Sequence, residues 1–488
     1  MTNHDPSAGA SPVRASRVRG WDVETDVLIV GNGCAGASAA IEASMAGAEV
    51  VVVDAAGGWG GASAMSGGEI YLGGGTPVQR ACGVEDSAEA MYAFLKLATG
   101  PDPAEEKLAV YCEGSLEHFD WLVGCGVHFE PRMWTEPAWE APTGYGLMYT
   151  GGENAHPFAD LVTPAARGHI VHMEDKKPGE RSAGWMLMRH LVATAERGGA
   201  KVRYNTRAER LVVDGDRVVG IEAVSFGERV FLRARRGVVL SAGGFAASGP
   251  MLAQHAPRAV GNALVGTDND DGTGIRMAQA VGAAVRHMEA AQAAFPADPA
   301  LLCRSLLLDV HGRRFSNEDT YAGRVGQAAL FQQDRKVFLF YDDAINEEVR
   351  RVSGYTVEPT WVSDDLAELE ERMGIAPGVL ANTVEVYNAN AEKGTDPLFH
   401  KSGRWLKRLA APYGVLDLRD AEFSVFTIGG LHTSTRGEVL GVDGDPIPGL
   451  FAAGRTTSGI PSWGYCSGTS LGDGTFFGRR AGRTAATA

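Results

Sequence analysis

A chain of 488 residues, 44% hydrophobic and 22% charged, is long enough for two or three domains with well-buried cores. Its formal net charge of −15 argues against a nucleic acid or an anionic membrane as partner, because both need a basic face. No run approaches the roughly 18 apolar residues of a spanning helix, and six cysteines without a CxxC pair fit a reducing, cytoplasmic setting rather than a disulfide scaffold.

The first twenty residues, MTNHDPSAGASPVRASRVRG, lack the apolar centre of a signal peptide and read as a disordered leader. DVLIV (26–30) has the branched, unbroken apolar character of a buried parallel strand. The alanine-rich stretch after GNGCAG reads as a helix, and VVVVD (50–54) as a second buried strand. Gly31, Gly33 and Gly36 therefore fall in GxGxxG register between strand and helix. In that register Gly31 permits the tight turn, Gly33 lets a pyrophosphate approach the backbone, and Gly36 lets helix and strand pack closely. The pyrophosphate is expected at the helix N-terminus, where free N–H groups and the helix dipole favour negative charge. Asp54 is placed to accept hydrogen bonds from ribose hydroxyls. Strand, helix, strand and terminal acid together predict a dinucleotide site.

The next segment, AAGGWGGASAMSGGEIYLGGGT, separates two kinds of dinucleotide. A nicotinamide dehydrogenase would run on to another strand–helix unit, whereas a long Gly/Ser/Ala loop suits main-chain contact with the larger FAD. In PRMWTEPAWEAPTGYGLMYTGG (131–152), Trp134, Trp139, Tyr145, Met148 and Tyr149 could wall a flat apolar ligand, or simply pack this loop onto the nucleotide domain. Packing is the simpler reading. His169 and His172 lack a third ligand at metal spacing, so loop packing is expected of them and no metal site is expected. KVRYNTRAERLVVDGDRVVGIEAV (201–224) alternates as hairpin strands with GDR in one turn. GVVLSAGGF (237–245) and GLFAAGRTTSG (449–459) are further strands ending in glycine-rich turns. SDDLAELEERMG and LANTVEVYNANAEKG read as exposed amphipathic helices without chemistry. His432 falls beside the expected cofactor turn. Near the C-terminus, GYCSGTSLGDG (464–474) sets the hydroxyls of Tyr465 and Ser467 around Cys466, a small filler with no base in view.

Taken together, GxGxxG with Asp54, GGASAMSGG, VVLSAGGF, DGTGIRMAQAVGA, GRRFSNE and TIGGLHTSTRGEVLGVDGDPIPGLFAAG resemble the flavoproteins of the fumarate reductase and 3-ketosteroid dehydrogenase superfamily, over residues 24 to 484 or thereabouts. The resemblance implies an α/β protein. A Rossmann-like FAD-binding domain over 21–292 and 423–488 would be interrupted by an α+β catalytic (capping) domain over 293–422. Cofactor contacts are then expected from Gly31, Gly33, Cys34, Ala35 and Gly36 in the first turn, and from Asp54 and Ala55 after the second strand. The loop that follows would add Gly61, Ala62, Ser63, Ser66, Gly67 and Gly68. Later segments would add Ala208, Ala242, Gly243, Gly454, Arg455, Ser470 and Leu471.

The departures from the family pattern carry the reading of function. Relatives with covalent FAD have a histidine where this chain has Gly61, so the FAD is expected to be non-covalent. Arg455 replaces a glutamate that in many relatives holds the ribityl chain, and arginine cannot accept that hydrogen bond. Fumarate reductases bind two carboxylates with histidine and arginine. The corresponding positions here are Phe426 and Ser470, and Ala322 stands where their proton-delivering arginine belongs, with Arg324 out of register. An uncharged, apolar substrate fits better. Introducing a C=C bond beside a ketone needs a donor to the carbonyl, a base for the acidified α-proton and an acceptor for hydride. Tyrosines can fill the first two roles, although a tyrosine of pKa about 10 needs help to act as a base. The SGTSLGDG amides, opening the last helix, could also bind an enolate oxygen.

Dehydrogenases that form the Δ1 bond usually carry Y-P-G-A-G near the C-terminus and a tyrosine five residues after the Asn of RFxNE. This chain has Y-C-S-G-T, and Tyr321 lies four residues after Asn317. It resembles instead the branch that desaturates C4–C5 of 5α-3-ketosteroids. That resemblance implies that Tyr465 takes the C4 proton, that Tyr321 and Ser467 support it, and that hydride passes from C5 to flavin N5. A Δ1-dehydrogenase and a fumarate- or enoate-type reductase stay open as alternatives. A non-enzymatic flavin carrier is disfavoured, since it needs no substrate pocket.

Overall fold

The computed structural model describes residues 11–174, 183–354 and 356–488. Its central sheet is buried on both faces at its middle strands, which are rich in branched residues because such side chains pack well on a pleated surface. In chain order the strands are β1 (Val13–Arg14), β2 (Val23–Val30), β3 (Val50–Val53), β4 (Lys201–Arg203), β5 (Thr206–Asp214), β6 (Arg217–Ser225), β7 (Glu228–Leu240), β8 (Glu438–Leu440) and β9 (Pro446–Ala452). Their spatial order is β1-β5-β6-β7-β2-β3-β4, with β9 parallel to β7 and β8 antiparallel to β9. The strands β2, β3 and β4 are parallel, with Val27 opposite Val50 and Val51 opposite Lys201. The long β7 joins two regimes. Its first half closes an antiparallel hairpin with β6, and its second half runs parallel to β2 with Leu240 opposite Val30.

The leader expected over 1–20 differs in its second half. Residues 1–10 lie outside the described residues, but Val13 and Arg14 pair in parallel with Val212 and Val213. Val13 is buried, and the short strand covers the edge of β5, whose backbone groups would otherwise lack partners.

Two helices dominate the packing beside this sheet: α1 (Cys34–Met45), which follows β2, and the terminal α2 (Thr469–Thr487). Gly474, Gly478 and Gly482 recur every fourth residue and so lie on one face of α2. A Cβ on Gly478 would sit 2.4 Å from the Ala35 carbonyl oxygen, and one on Gly482 would sit 2.1 Å from that of Ala39. Contacts that advance together along both chains mean the helices run parallel with their backbones in touch. A charge cluster centred on the buried Glu42 and Arg479 fixes the same pair. Arg479 donates to Glu42 on α1 at 3.0 Å and to Glu117 at 2.6 Å, and Arg483 donates to Glu42 at 2.6 Å.

Between the two halves of the nucleotide-binding sequence, a four-stranded antiparallel sheet forms from Leu306–Asp309, Val337–Asp342, Tyr413–Asp417 and Trp361–Ser363. The amphipathic segments expected there are helices Leu366–Met373 and Val379–Ala391, the first capped by the Asp365 side chain. A small three-stranded sheet of Ala263–Leu264, Ser424–Thr427 and Ala291–Ala294 links this region to the main sheet, with Gln292 opposite Phe426 and Ala294 opposite Ser424. Among the described residues no helix is long and apolar enough to cross a membrane.

The close approach of α1 and α2 has a measurable sign. At an ordinary helix position Gly→Ala raises stability by about 1 kcal/mol. Gly478→Ala should instead lower it by about 1–3 kcal/mol through overpacking against α1, seen as an earlier urea midpoint at unchanged slope. A later midpoint would show that the helices are not in backbone contact.

Candidate active site

A cavity of about 480 Å³ runs from the ends of β2 and β3, past the N-termini of α1 and α2, to the small three-stranded sheet. Its nucleotide end follows from local rules. Gly31 has φ +100, and a Cβ there would meet the Ser241 oxygen at 2.4 Å, so only glycine makes this turn. A Cβ on Gly33 would touch only Ser63 Oγ at 3.4 Å and the Gly60 oxygen at 4.0 Å, and one on Gly61 would meet nothing within 4 Å, so this stretch of main chain faces open space. Asp54 accepts from the backbone N–H groups of Asn32 at 2.7 Å and Ala56 at 2.8 Å. Burial raises its pKa and these two donors pull it back. The carboxylate thereby stiffens the turn and keeps lone pairs free for hydroxyl donors. A side-chain-free cradle at a helix N-terminus, ending in an acid, fits the pyrophosphate and ribose of FAD.

All the cofactor contacts expected from the sequence line this cavity except Gly36 and Gly68. Gly36 is a packing residue, since a Cβ there would lie 1.9 Å from the Gly31 oxygen. Gly68 sits against the backbone of Ala183 and Gly184, where a Cβ would come within 2.6 Å.

The far end of the cavity holds Tyr465, Tyr321 and Ser467 together, as the sequence suggested. The loop that carries Tyr465 is pinned from outside. The N–H groups of Trp463 and Gly464 donate to the Thr99 carbonyl at 2.8 Å, and that of Ser467 donates to Thr150 at 2.9 Å. Gly468, at φ +94, then turns the chain into α2. This geometry brings Ser470, in the first turn of α2, onto Tyr465. Burial pushes the Tyr465 hydroxyl up, while the Ser470 hydroxyl, the Ser470 N–H and the charge of Arg455 favour the phenolate. Burial raises Tyr321 well above its ordinary value and the neighbouring Tyr465 adds to that, with the Ser467 hydroxyl opposing them.

Tyr321 is held by the GRRFSNE segment before it. Buried Glu318 accepts from Arg314 at 2.6 Å and lies 3.2 Å from Lys401, and Arg314 also pairs with Asp396 at 2.8 Å. Asn317 Nδ2 donates to the His156 carbonyl at 3.2 Å. A Cβ on Gly323 would meet both Gln292 and the Tyr321 ring, so the helix beginning at Ala322 packs directly beneath them. The charges of this segment therefore position a loop rather than bind substrate.

Phe426 and Ser470 line the cavity, and Phe426 meets Tyr465 edge to face at 5.1 Å. Arg324 turns away from it, donating to the Gly151 carbonyl at 3.0 Å and lying 3.4 Å from Cys466 Sγ. Burial pushes the Cys466 thiol up to about 12, which fits a filler. Arg455 is paired with Asp270 at 3.1 Å.

Other expectations divide. Of the aromatic residues in 131–152, only Trp139 lines the cavity, with its ring 6.3 Å from that of Tyr321. Trp134, Tyr145 and Met148 form a small separate cluster, and Tyr149 packs on the core around α1. His169 is fully buried, bonded to Thr76 and the Arg167 carbonyl, and burial lowers its pKa to about 4. His172 lies 3.3 Å from Glu130. Both are packing residues, and among the described residues no cluster could hold a metal ion. His432 does not line the cavity. Its N–H donates to the Ala284 carbonyl at 2.8 Å. The sequence reading missed Glu69, Glu140, Asp270 and Gln292, all of which line the cavity. For Gln292 a signal existed: in AQAA and SVFT alternate residues share a face, and the paired Gln292 and Phe426, like Ala294 and Ser424, present that face to the cavity.

Comparison with known proteins agrees with this geometry. Residues 26–471 match the family described as FAD binding domain. A crystal structure of a 3-ketosteroid-Δ4-(5α)-dehydrogenase from Rhodococcus jostii, in complex with 4-androstene-3,17-dione, is 50% identical and superposes with a TM-score of 0.95, covering 98% of this chain and 99% of its own. A 3-oxo-5-alpha-steroid 4-dehydrogenase from Comamonas testosteroni is 27% identical over 89% of this chain and 93% of its own length. A probable fumarate reductase from Shewanella frigidimarina is 28% identical over 95% of this chain and 75% of its own length. The chain belongs to the FAD-binding-domain family of flavoproteins.

Proposed function

We propose that this protein is an FAD-dependent dehydrogenase that introduces the C4–C5 double bond into 5α-3-ketosteroids. The observation that carries the reading is Tyr465, held by Ser470 at the N-terminus of α2, beside Tyr321 and Ser467 in one cavity. The likeness to the Rhodococcus and Comamonas enzymes supports the substrate class and the position of the new bond. Phe426 and Ser470, standing where fumarate reductases need cations, support an uncharged substrate.

Each residue has a definable task. Tyr465 takes the proton from C4, which the neighbouring ketone acidifies. Ser470 and the first N–H groups of α2 hold the charged form of Tyr465 and bear on any negative charge that develops at the steroid oxygen. Tyr321 and Ser467, bonded to one another, steady Tyr465 and provide a route for its proton. Trp139, Phe426 and the small residues of the cavity wall keep water from the reacting carbons. FAD, when bound, supplies the two-electron acceptor for the hydride that leaves C5. The lining residues of 31–35, 54–55, 61–67 and 454–471 would hold it, and Gly61, standing where relatives with covalent FAD have a histidine, supports non-covalent binding. In this reading residues 21–292 and 423–488 form the cofactor domain and 293–422 the cap that brings Tyr321 to the site. Six free cysteines fit a cytoplasmic protein.

Mixing anaerobic protein with 5α-androstane-3,17-dione should bleach the yellow flavin, and succinate should not. Flavin that stays yellow with every 3-ketosteroid would overturn the proposal.

Tyr465→Phe should slow flavin reduction by about 10²–10⁴-fold, the usual contribution of a general base. FAD should stay bound, and a steroid ligand should still perturb its spectrum. Near-normal reduction in that variant would move the base elsewhere.

A further inference from the structure

The cavity is poor in positive charge. Its described lining residues include the carboxylates Asp54, Glu69, Glu140, Asp270 and Asp271 but only two cations, Arg207 and Arg455. Arg207 pairs with Asp271 at 2.9 Å and donates to Asn269 as well. Arg455 follows β9 in a single tight turn, Gly454–Thr456, and its side chain is largely enclosed. Its Nη2 lies 3.3 and 3.1 Å from the two carboxylate oxygens of Asp270. Asp270 is itself fixed, accepting from the N–H groups of Gly244 at 3.2 Å and Thr267 at 3.0 Å. The guanidinium lies over Phe426, 5.3 Å from the ring centroid, and Phe426 meets Tyr465 edge to face. Asp270, Arg455, Phe426 and Tyr465 thus form one continuous stack along the cavity wall.

We propose that Arg455, anchored by Asp270, is a positioning residue that keeps a permanent positive charge behind the Tyr465 phenolate and so sets the pH at which Tyr465 works as a base. The inference rests on the reading of Tyr465 as that base. The need for such a charge follows from the groups around the hydroxyl. Tyr465 packs against Ala290, Ile428, Phe426, Trp463 and Tyr321, none of which can stabilise an anion by charge. Glu69 acts against ionisation, and Glu140 lies on the same cavity wall. Ser470 is the hydrogen-bonding support, and Arg455 is the cation that acts on Tyr465. An arginine suits the position because its planar group can lie flat on Phe426 while an edge meets Asp270. In an enclosed site salt screens that charge little.

The sign is definite. A base must be deprotonated to act, so flavin reduction should rise with pH up to a plateau, and removing the charge should move that limb upward. In Arg455→Gln the limb should shift by about one pH unit, which makes reduction about tenfold slower below it. Arg455→Lys should recover most of the shift. A second readout does not depend on turnover: ultraviolet difference titration of the holoprotein, referenced to Tyr465→Phe, should show the Tyr465 tyrosinate appearing about one pH unit later in Arg455→Gln. If limb and titration are both unmoved while Tyr465→Phe is inactive, the charge does not act on Tyr465 and this proposal fails alone. If Tyr465→Phe still reduces the flavin, the base assignment fails and takes this proposal with it.

Discussion

The backbone contact between α1 and α2 is the constraint on which the rest of the molecule depends. Because Gly474, Gly478 and Gly482 let the two helices touch in parallel, both begin at the same cavity. Each N-terminus offers unpaired N–H groups and the positive end of a dipole. One sits where a pyrophosphate belongs, and the other holds Tyr465 through Ser470. A site that binds a dianionic cofactor and, in the proposed mechanism, stabilises a phenolate needs positive potential without many cationic side chains. Two converging helix ends provide it in a form that no titration can remove.

Against that frame, the exchange of a few side chains separates one chemistry from another. A dicarboxylate substrate brings its own negative charges and needs guanidinium or imidazolium partners. Here the corresponding wall carries Phe426 and Ser470, and Arg324 is turned back into the protein to hold Gly151 and Cys466. An aromatic ring and a hydroxyl suit a flat, neutral ligand. Among the described lining residues the one cation at that end, Arg455, is paired with Asp270, which leaves a modest field rather than an anion-binding pocket.

Much of this was legible in the sequence where the signal was local. The turn at Gly31, the exposed main chain at Gly33 and the acid ending β3 follow from neighbours a few residues apart. The grouping of Tyr321 and Ser467 with Tyr465 came from resemblance, and the cavity that joins them is built by segments far apart in sequence. The four-residue recurrence of Gly474, Gly478 and Gly482 was in plain view, but its meaning lies in Ala35 and Ala39, more than four hundred residues earlier. Ser470 was expected as a cofactor contact and as the uncharged residue at a fumarate reductase arginine position, not as a partner of Tyr465. Its bond to Tyr465 depends on the left-handed turn at Gly468, which folds the loop back on itself. The aromatic run at 131–152 misled because two short strands, Met133–Trp134 and Leu147–Met148, send its side chains to different clusters. Glu69 and Glu140 carry no motif, and the fold alone gathers them; Gln292 was marked only by the alternation of its short strand.

The central claim is that the reacting carbons are C4 and C5 of a 5α-3-ketosteroid, with C5 as the source of hydride. It is tested most directly by anaerobic single-turnover flavin reduction with 5α-androstane-3,17-dione deuterated either at C5 or at C1. A slower bleaching with deuterium at C5, none with deuterium at C1, and a Δ4-3-ketone as product are the results this account predicts. An isotope effect at C1 with a Δ1-ketone as product would contradict it.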